Sequence, residues 1–146
     1  MRYSIQEVAA KTGLSSYTLR YYDKAGLLPF VARNTAGYRI FTDGDLVLLH
    51  TIMCLKNTGM AISDIRRYID DVMAGPTSIA DRKALLTAHR AKVLAKQQQL
   101  TENLREVDYK LGLYAAPDAV TQVQGELAAA RADKAANGLA DPYPAS

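Results

Sequence analysis

The 146-residue chain is 49% hydrophobic, carries a formal net charge of +3 and contains one cysteine. That length and hydrophobic share suit one or two small units with a real core, and a single cysteine excludes an intramolecular disulfide framework, so a cytoplasmic location is the expectation. Charge interrupts the longest apolar stretches within a few residues, and the N-terminus lacks the apolar centre of a signal peptide, so neither a membrane span nor a secretory leader is expected.

Ser4 followed by Glu7 three residues on reads as a capping box opening a helix through about Lys11, with Ile5, Val8 and Ala9 as its buried stripe and Gly13 as its end. Ser15 or Ser16 can cap a second helix whose inner face is Leu19, with Tyr22 partly buried, while Tyr17, Thr18, Arg20 and Tyr21 have routes outward. Gly26 stops it, Leu27 to Phe30 form an extended apolar strap, and Asn34-Thr35-Ala36-Gly37 turns the chain between Val31 to Arg33 and Tyr38 to Phe41. Two short helices followed by a small hairpin are the layout of a winged helix-turn-helix.

Thr42 or Asp43 caps a third helix through about Asn57, closed by Gly59, whose apolar residues lie almost all round, so it is expected at the centre of the first domain. Ser63 and Asp64 are expected to begin a fourth helix through about Met73, and Gly75-Pro76 breaks the chain. From Ile79 the period changes: Ile79, Leu86, Val93, Leu100, Val107 and Tyr114 recur every seven residues, with Lys83, Arg90, Gln97, Leu104 and Leu111 at the partner position. This predicts one long helix in a coiled coil whose seam is polar at first and apolar near its end. A lone copy would leave that seam wet, so a homodimer joined through Leu86, Val93, Leu100, Leu104, Val107 and Leu111 is expected, the alternative being a stripe packed on the chain's own domain. After Pro117 the composition turns to Ala, Gly, Asp and Pro, and the few large apolar residues of Val120 to Ala136 predict a mobile or partly helical tail. The expected organisation is therefore a mainly α chain with a winged helix-turn-helix head over 1–75, a dimerisation helix over 78–114 and an Ala-rich tail over 117–146.

Charge is unevenly placed. Residues 1–58 carry seven Lys or Arg against four acids, whereas residues 59–146 carry eleven of each sign, so the whole net charge sits in the head. A compact basic segment suits the dense phosphates of a duplex, whose neutralisation releases counterions, and the head's Tyr17, Tyr21, Tyr22 and Tyr38 add phenolic hydroxyls able to bond phosphate.

Tyr3-Ser4-Ile5, Gly13-Leu14-Ser15, Thr18-Leu19-Arg20-Tyr21-Tyr22-Asp23, Gly26-Leu27-Leu28, Gly37-Tyr38-Arg39 and Phe41 follow one another in an order that resembles the N-terminal domain of MerR-family transcriptional regulators. The resemblance covers residues 1–75 in detail and 78–114 by architecture. It implies a homodimer whose long helices pair as an antiparallel coiled coil and whose two heads dock in successive major grooves of a near-palindromic site on double-stranded promoter DNA. In that family the dimer bends and undertwists an overlong promoter spacer, so RNA polymerase is affected through DNA shape.

By position, the resemblance gives Arg20 a phosphate contact from the second helix, with Ser16, Tyr17, Thr18 and Tyr21 at the groove or backbone, and leaves Tyr22 open between backbone contact and core. It likewise implies a backbone contact for Arg39 at the wing, with Tyr38 and Arg33 beside it, and matches Lys56 to a basic position near a second wing. The family's metal sensors place cysteines at the start of the dimer helix and in a later loop. Here Thr77-Ser78-Ile79 occupies the first place and no later cysteine follows, so neither a metal nor a cofactor is expected. The run Cys54-Leu55-Lys56-Asn57-Thr58-Gly59-Met60 resembles the single-cysteine branch, called NmlR or AdhR, that responds to aldehydes, electrophiles or nitrosative stress. Cys54 would then be the sensor, and His50, four residues earlier on the same helix face, would favour its thiolate when protonated. Two readings stay open at this point: Cys54 as a small structural residue in a regulator that answers to a small ligand, and Cys54 as the switch. Two ligands are too few for a metal, and catalytic triads, phosphate loops and paired carboxylates are missing, so an enzyme is not expected.

Overall fold

The computed structural model describes residues 1–145. Its elements, in chain order, are β1 (Arg2–Tyr3), α1 (Ile5–Thr12), α2 (Ser16–Lys24), β2 (Ala32–Arg33), β3 (Arg39–Thr42), α3 (Asp43–Asn57), α4 (Ile62–Ala74), a 3-10 turn (Gly75–Ser78), α5 (Ile79–Ala115) and α6 (Ala119–Ala136). The chain divides into two compact units, the first Met1–Ala95 and the second beginning at Lys96.

Local chemistry sets the helix ends in the first unit. Ser4 and Glu7 close a reciprocal capping box on α1, Thr42 and Asp45 close another on α3, and the Ser15 hydroxyl accepts from the Thr18 amide at the start of α2, each supplying partners for otherwise orphaned groups. Gly13 ends α1 at φ 75°, a left-handed position where a side chain would clash with the following carbonyl. The α4 start differs from expectation: the cap position is Ala61, so Ser63 and Asp64 lie within the first turn, where Asp64 faces the positive end of the helix dipole.

The hairpin closes as predicted, with Ala32 opposite Ile40 and Arg33 opposite Arg39. The sheet also contains β1, not expected from the sequence, which pairs antiparallel with the other edge of β3 to give the order β1-β3-β2. Two residues are too few to show an alternation, and the strand is held partly by the first residue of α3: the Tyr3 hydroxyl donates to Asp43 Oδ1 at 2.7 Å, and the terminal ammonium lies 3.1 Å from Asp43 Oδ2. The Asp43 carboxyl is held below its usual range by the Tyr3 hydrogen bond first and the ammonium second, and the same hydrogen bond raises the Tyr3 phenol.

Val8 of α1, Leu19 of α2, Leu27 of the strap, Phe41 of β3, Leu49 and Ile52 of α3, and Ile65 and Ile69 of α4 form a core without solvent exposure. Each such side chain stabilises the head by about 1.5–3 kcal/mol before chain entropy is subtracted. The burial of α3 is one-sided, contrary to expectation. Leu49, Ile52 and Leu55 face the core while Val47, His50 and Cys54 are exposed, because its partners β3 and α4 cover only one flank.

In the second unit α5 continues and is followed, after the break at Pro117, by α6. Leu113 is buried there. Among the described residues, α6 buries no side chain fully, in keeping with its poverty in large apolar residues, and no helix is long and apolar enough to cross a membrane.

Candidate nucleic-acid interface

The two faces of α2 separate by chemistry. Leu19 and Tyr22, three residues apart, point into the core, and Tyr22 is only 5% exposed. Its ring belongs to the core, and burial raises its phenol above the ordinary value. The opposite face presents Tyr17, Arg20, Tyr21 and Lys24 to solvent, with Ser16 and Thr18 half-buried at the helix start. Tyr17 is 81% exposed. An aromatic ring usually seeks cover, so a bare tyrosine beside an arginine at a helix N-terminus is a surface suited to phosphate and base edges.

The wing is tied to this helix by an ionic knot that the sequence reading did not single out. Asp23, at the C-terminal turn of α2, accepts from Arg39 Nε at 2.7 Å and from Arg39 Nη2 through the same oxygen, and from Arg33 Nη2 at 3.1 Å. Arg33 Nη1 also donates to the Gly37 carbonyl at 2.8 Å. The cause lies in the strand register: Arg33 and Arg39 are directly opposed across the hairpin, where like charges repel, and one carboxylate between them turns the clash into a bridge. Arg39 is therefore mostly covered and Arg33 half-exposed, so both orient the wing in this state. The signal that could have found Asp23 is its position as the only acid on α2, in an otherwise basic segment.

The wing's tip is shaped by Asn34, whose Oδ1 accepts from the amides of Ala36 at 3.1 Å and Tyr38 at 2.9 Å, and by Gly37 at φ 85°. Tyr38 projects from it, 71% exposed. Lys56 is also exposed, in the last turn of α3.

On α3, Cys54 is a free, exposed thiol with Sγ 3.6 Å from His50 Nε2. The helix spacing inferred from sequence thus brings the two together at its surface. Among the described residues no group of three or more His, Cys, Asp or Glu side chains could hold a metal ion. An open cleft of about 950 Å³ in the first unit is lined by α4 and α5 residues including Asp64, Asp70, Asp71, Asp81 and Leu85.

The residues expected at the dimer seam fall into two groups. Leu86 packs, with Leu85, against the core of its own head, because the start of α5 lies on that core. Val93 is half-buried. Leu100, Leu104, Val107 and Leu111 are all more than half exposed, so the second unit carries an apolar stripe open to solvent in the single chain.

Known proteins share this arrangement. Residues 3–72 match the MerR HTH family regulatory proteins, and residues 46–109 match the family described as MerR, DNA binding. An uncharacterized HTH-type transcriptional regulator of Haemophilus influenzae is 40% identical over 124 residues, spanning 85% of this chain and 92% of its own. Among solved structures, HiNmlR, a MerR family regulator lacking the sensor domain and bound to promoter DNA, is similar at a TM-score of 0.78 and 40% identity over 86% of this chain and 99% of its own. A MerR family transcriptional regulator from Bacillus thuringiensis is similar at a TM-score of 0.71 and 42% identity over 77% of this chain and 98% of its own. The family is one of regulators, not enzymes, and the likeness to HiNmlR fits the NmlR-like branch. With its exposed α2 face, tethered wing and long α5, the chain belongs to the MerR family of DNA-binding transcriptional regulators.

Proposed function

We propose that this regulator acts as a homodimer whose two heads engage successive major grooves of a near-palindromic promoter site and distort the duplex between them. The observation that carries this reading is the pairing of a bare reading face, Tyr17, Arg20 and Tyr21, with an uncovered apolar stripe, Leu100, Leu104, Val107 and Leu111, on α5. One feature needs DNA and the other needs a partner; two copies joined along the stripe satisfy both. Charge favours antiparallel pairing. Residues 79–96 hold Arg82, Lys83, Arg90, Lys92 and Lys96 against Asp81, whereas residues 97–114 hold Glu102, Glu106 and Asp108 against Arg105 and Lys110, so antiparallel helices set a basic half against an acidic one. The full binding surface comprises Ser16, Tyr17, Thr18, Arg20 and Tyr21, the wing residues Arg33, Tyr38 and Arg39, and Lys56. Arg33 and Arg39 act there mainly by holding the wing against α2 while keeping net positive charge at its base. RNA polymerase responds to the resulting DNA shape. The test is a circular-permutation bending assay on DNA from upstream of the protein's own gene: a position-dependent mobility shift is expected, and binding without bending would contradict the distortion.

Switching belongs to Cys54 in this reading. Its exposure beside His50 supports a reactive thiol over a buried packing residue: the thiol proton passes to His50 or water, the sulfur adds to the carbonyl carbon of an aldehyde, and the C=O π pair moves onto oxygen, which takes up a proton to leave a hemithioacetal. Intact-protein mass after formaldehyde or methylglyoxal should show an adduct that Cys54→Ser lacks. Induction undiminished in Cys54→Ser would leave the small-ligand alternative, with the open cleft beside α5 as its place.

A further inference from the structure

The chain contains two histidines and one cysteine, and all three lie on one connected run of groups in the first unit. Cys54 Sγ is 3.6 Å from His50 Nε2, the Cys54 carbonyl accepts from the Thr58 hydroxyl at 2.7 Å, and the same hydroxyl oxygen lies 2.7 Å from His89 Nε2. The last contact crosses from the C-terminal cap of α3 to α5, joining residues 31 apart in sequence. The Thr58 hydroxyl has one proton, drawn by the carbonyls of Cys54 at 2.7 Å and Leu55 at 3.2 Å. Its lone pair is then left for His89, whose Nε2–H donates. A donor at this end of α3 also complements the negative end of the helix dipole.

Seven residues earlier, hence on the same face of α5, a second donor does the same to α4. Arg82 Nη2 donates to the carbonyls of Asp71 at 3.2 Å, Val72 at 3.3 Å and Gly75 at 3.0 Å, while Nε donates to Ser78 Oγ at 3.0 Å. Between the two donors, Leu85 and Leu86 pack on the core. The first turns of α5 thus grip the carbonyl ends of both preceding helices, and the compact unit that includes them extends to Ala95.

We propose that the Thr58–His89 hydrogen bond, with the Arg82 clamp beside it, is a positioning latch that fixes the angle at which each head meets the first turns of α5 and so sets the half-site spacing the protein accepts. The inference rests on the two-headed homodimer proposed for this regulator. Over a lever on the order of 20 Å, a rotation of about 10° at the latch displaces the reading helix by roughly one base-pair rise, ~3.4 Å. Loss of the latch therefore blurs spacing discrimination without touching a DNA-contacting residue. His89 is a positioning residue, acting through α5.

A duplex selected from a random pool by the wild-type protein, then rebuilt with its half-sites moved together or apart by one and two base pairs, provides the test. The wild type should prefer the parental spacing sharply. His89→Ala and Thr58→Val should bind the parental duplex about five- to tenfold more weakly while holding the displaced duplexes almost as before, since one hydrogen bond is lost in each head. Thr58→Ser, which keeps the hydroxyl, and His89→Gln, whose amide can donate to it, should restore the sharp profile. Equal weakening at every spacing, or a profile left sharp by His89→Ala and Thr58→Val, would remove the latch and leave the two-headed reading intact. A flat profile for the wild type itself would overturn the two-headed reading, and the latch with it.

Discussion

Asp23 and Arg39, 16 residues apart in sequence, meet through two hydrogen bonds to one carboxylate oxygen and fasten the wing to α2. Both side chains are about one-fifth exposed, so the pair is screened less than a surface ion pair but is not fully buried. Asp23→Ala leaves two opposed guanidinium groups without a counter-charge. It should lower stability by about 1–2 kcal/mol, between the ranges for exposed and buried pairs, seen as a lower urea midpoint at unchanged slope. An unchanged midpoint would mean that the knot is not a stabilising element.

Arg20 occupies the exposed face of α2 beside Tyr17 and Tyr21. Arg20→Ala should weaken binding to all sequences alike and reduce the log–log salt dependence by about one phosphate per head. An anisotropy titration over several salt concentrations reads both quantities. A wild-type slope in the variant would place Arg20 off the phosphates.

Tyr22 separates core from surface. With the ring in the core, Tyr22→Ala should cost about 3–5 kcal/mol of folding stability, whereas Tyr22→Phe should fold and bind DNA nearly as the wild type does. A Phe variant that folds normally but loses DNA binding would return the Tyr22 hydroxyl to the interface.

The docking of β1 through Tyr3 and Asp43 makes stability depend on pH at two ends. The Asp43 carboxyl is lowered in the fold, so its contribution is present above the ordinary carboxylate value and fades as pH falls through the depressed one. The Tyr3 phenol is raised, so its contribution is present below the ordinary phenol value and fades as pH rises through the raised one. The melting-temperature difference between wild type and Asp43→Asn should therefore be steady from about pH 5 to 7 and shrink in acid and in strong alkali. A difference constant across the whole range would show that the contact does not form in solution.

Local chemistry was legible in the sequence where a few neighbouring residues decide the outcome. The capping box at Ser4, a cap at the Thr42-Asp43 start of α3, the stop at Gly13 and the turn at Asn34 to Gly37 all arise from residues within four positions of each other. What escaped depends on distant partners. β1 is held partly by Asp43, about forty residues away, and the Asp23 knot exists only once the hairpin register opposes Arg33 and Arg39. The seven-residue period correctly announced one long helix, yet the period alone could not tell that Leu86 turns toward its own head. On α3, composition suggested burial all round, whereas the neighbours cover one flank and leave Cys54 in solvent.

The central claim, that two copies joined along the α5 stripe hold one promoter site, is tested most directly by native mass spectrometry of the protein with a duplex it has selected. A complex of two chains per duplex is predicted, lost when Leu104→Glu and Leu111→Glu are combined while the free heads remain folded. One chain per duplex, or two-chain complexes that survive both substitutions, would contradict the claim.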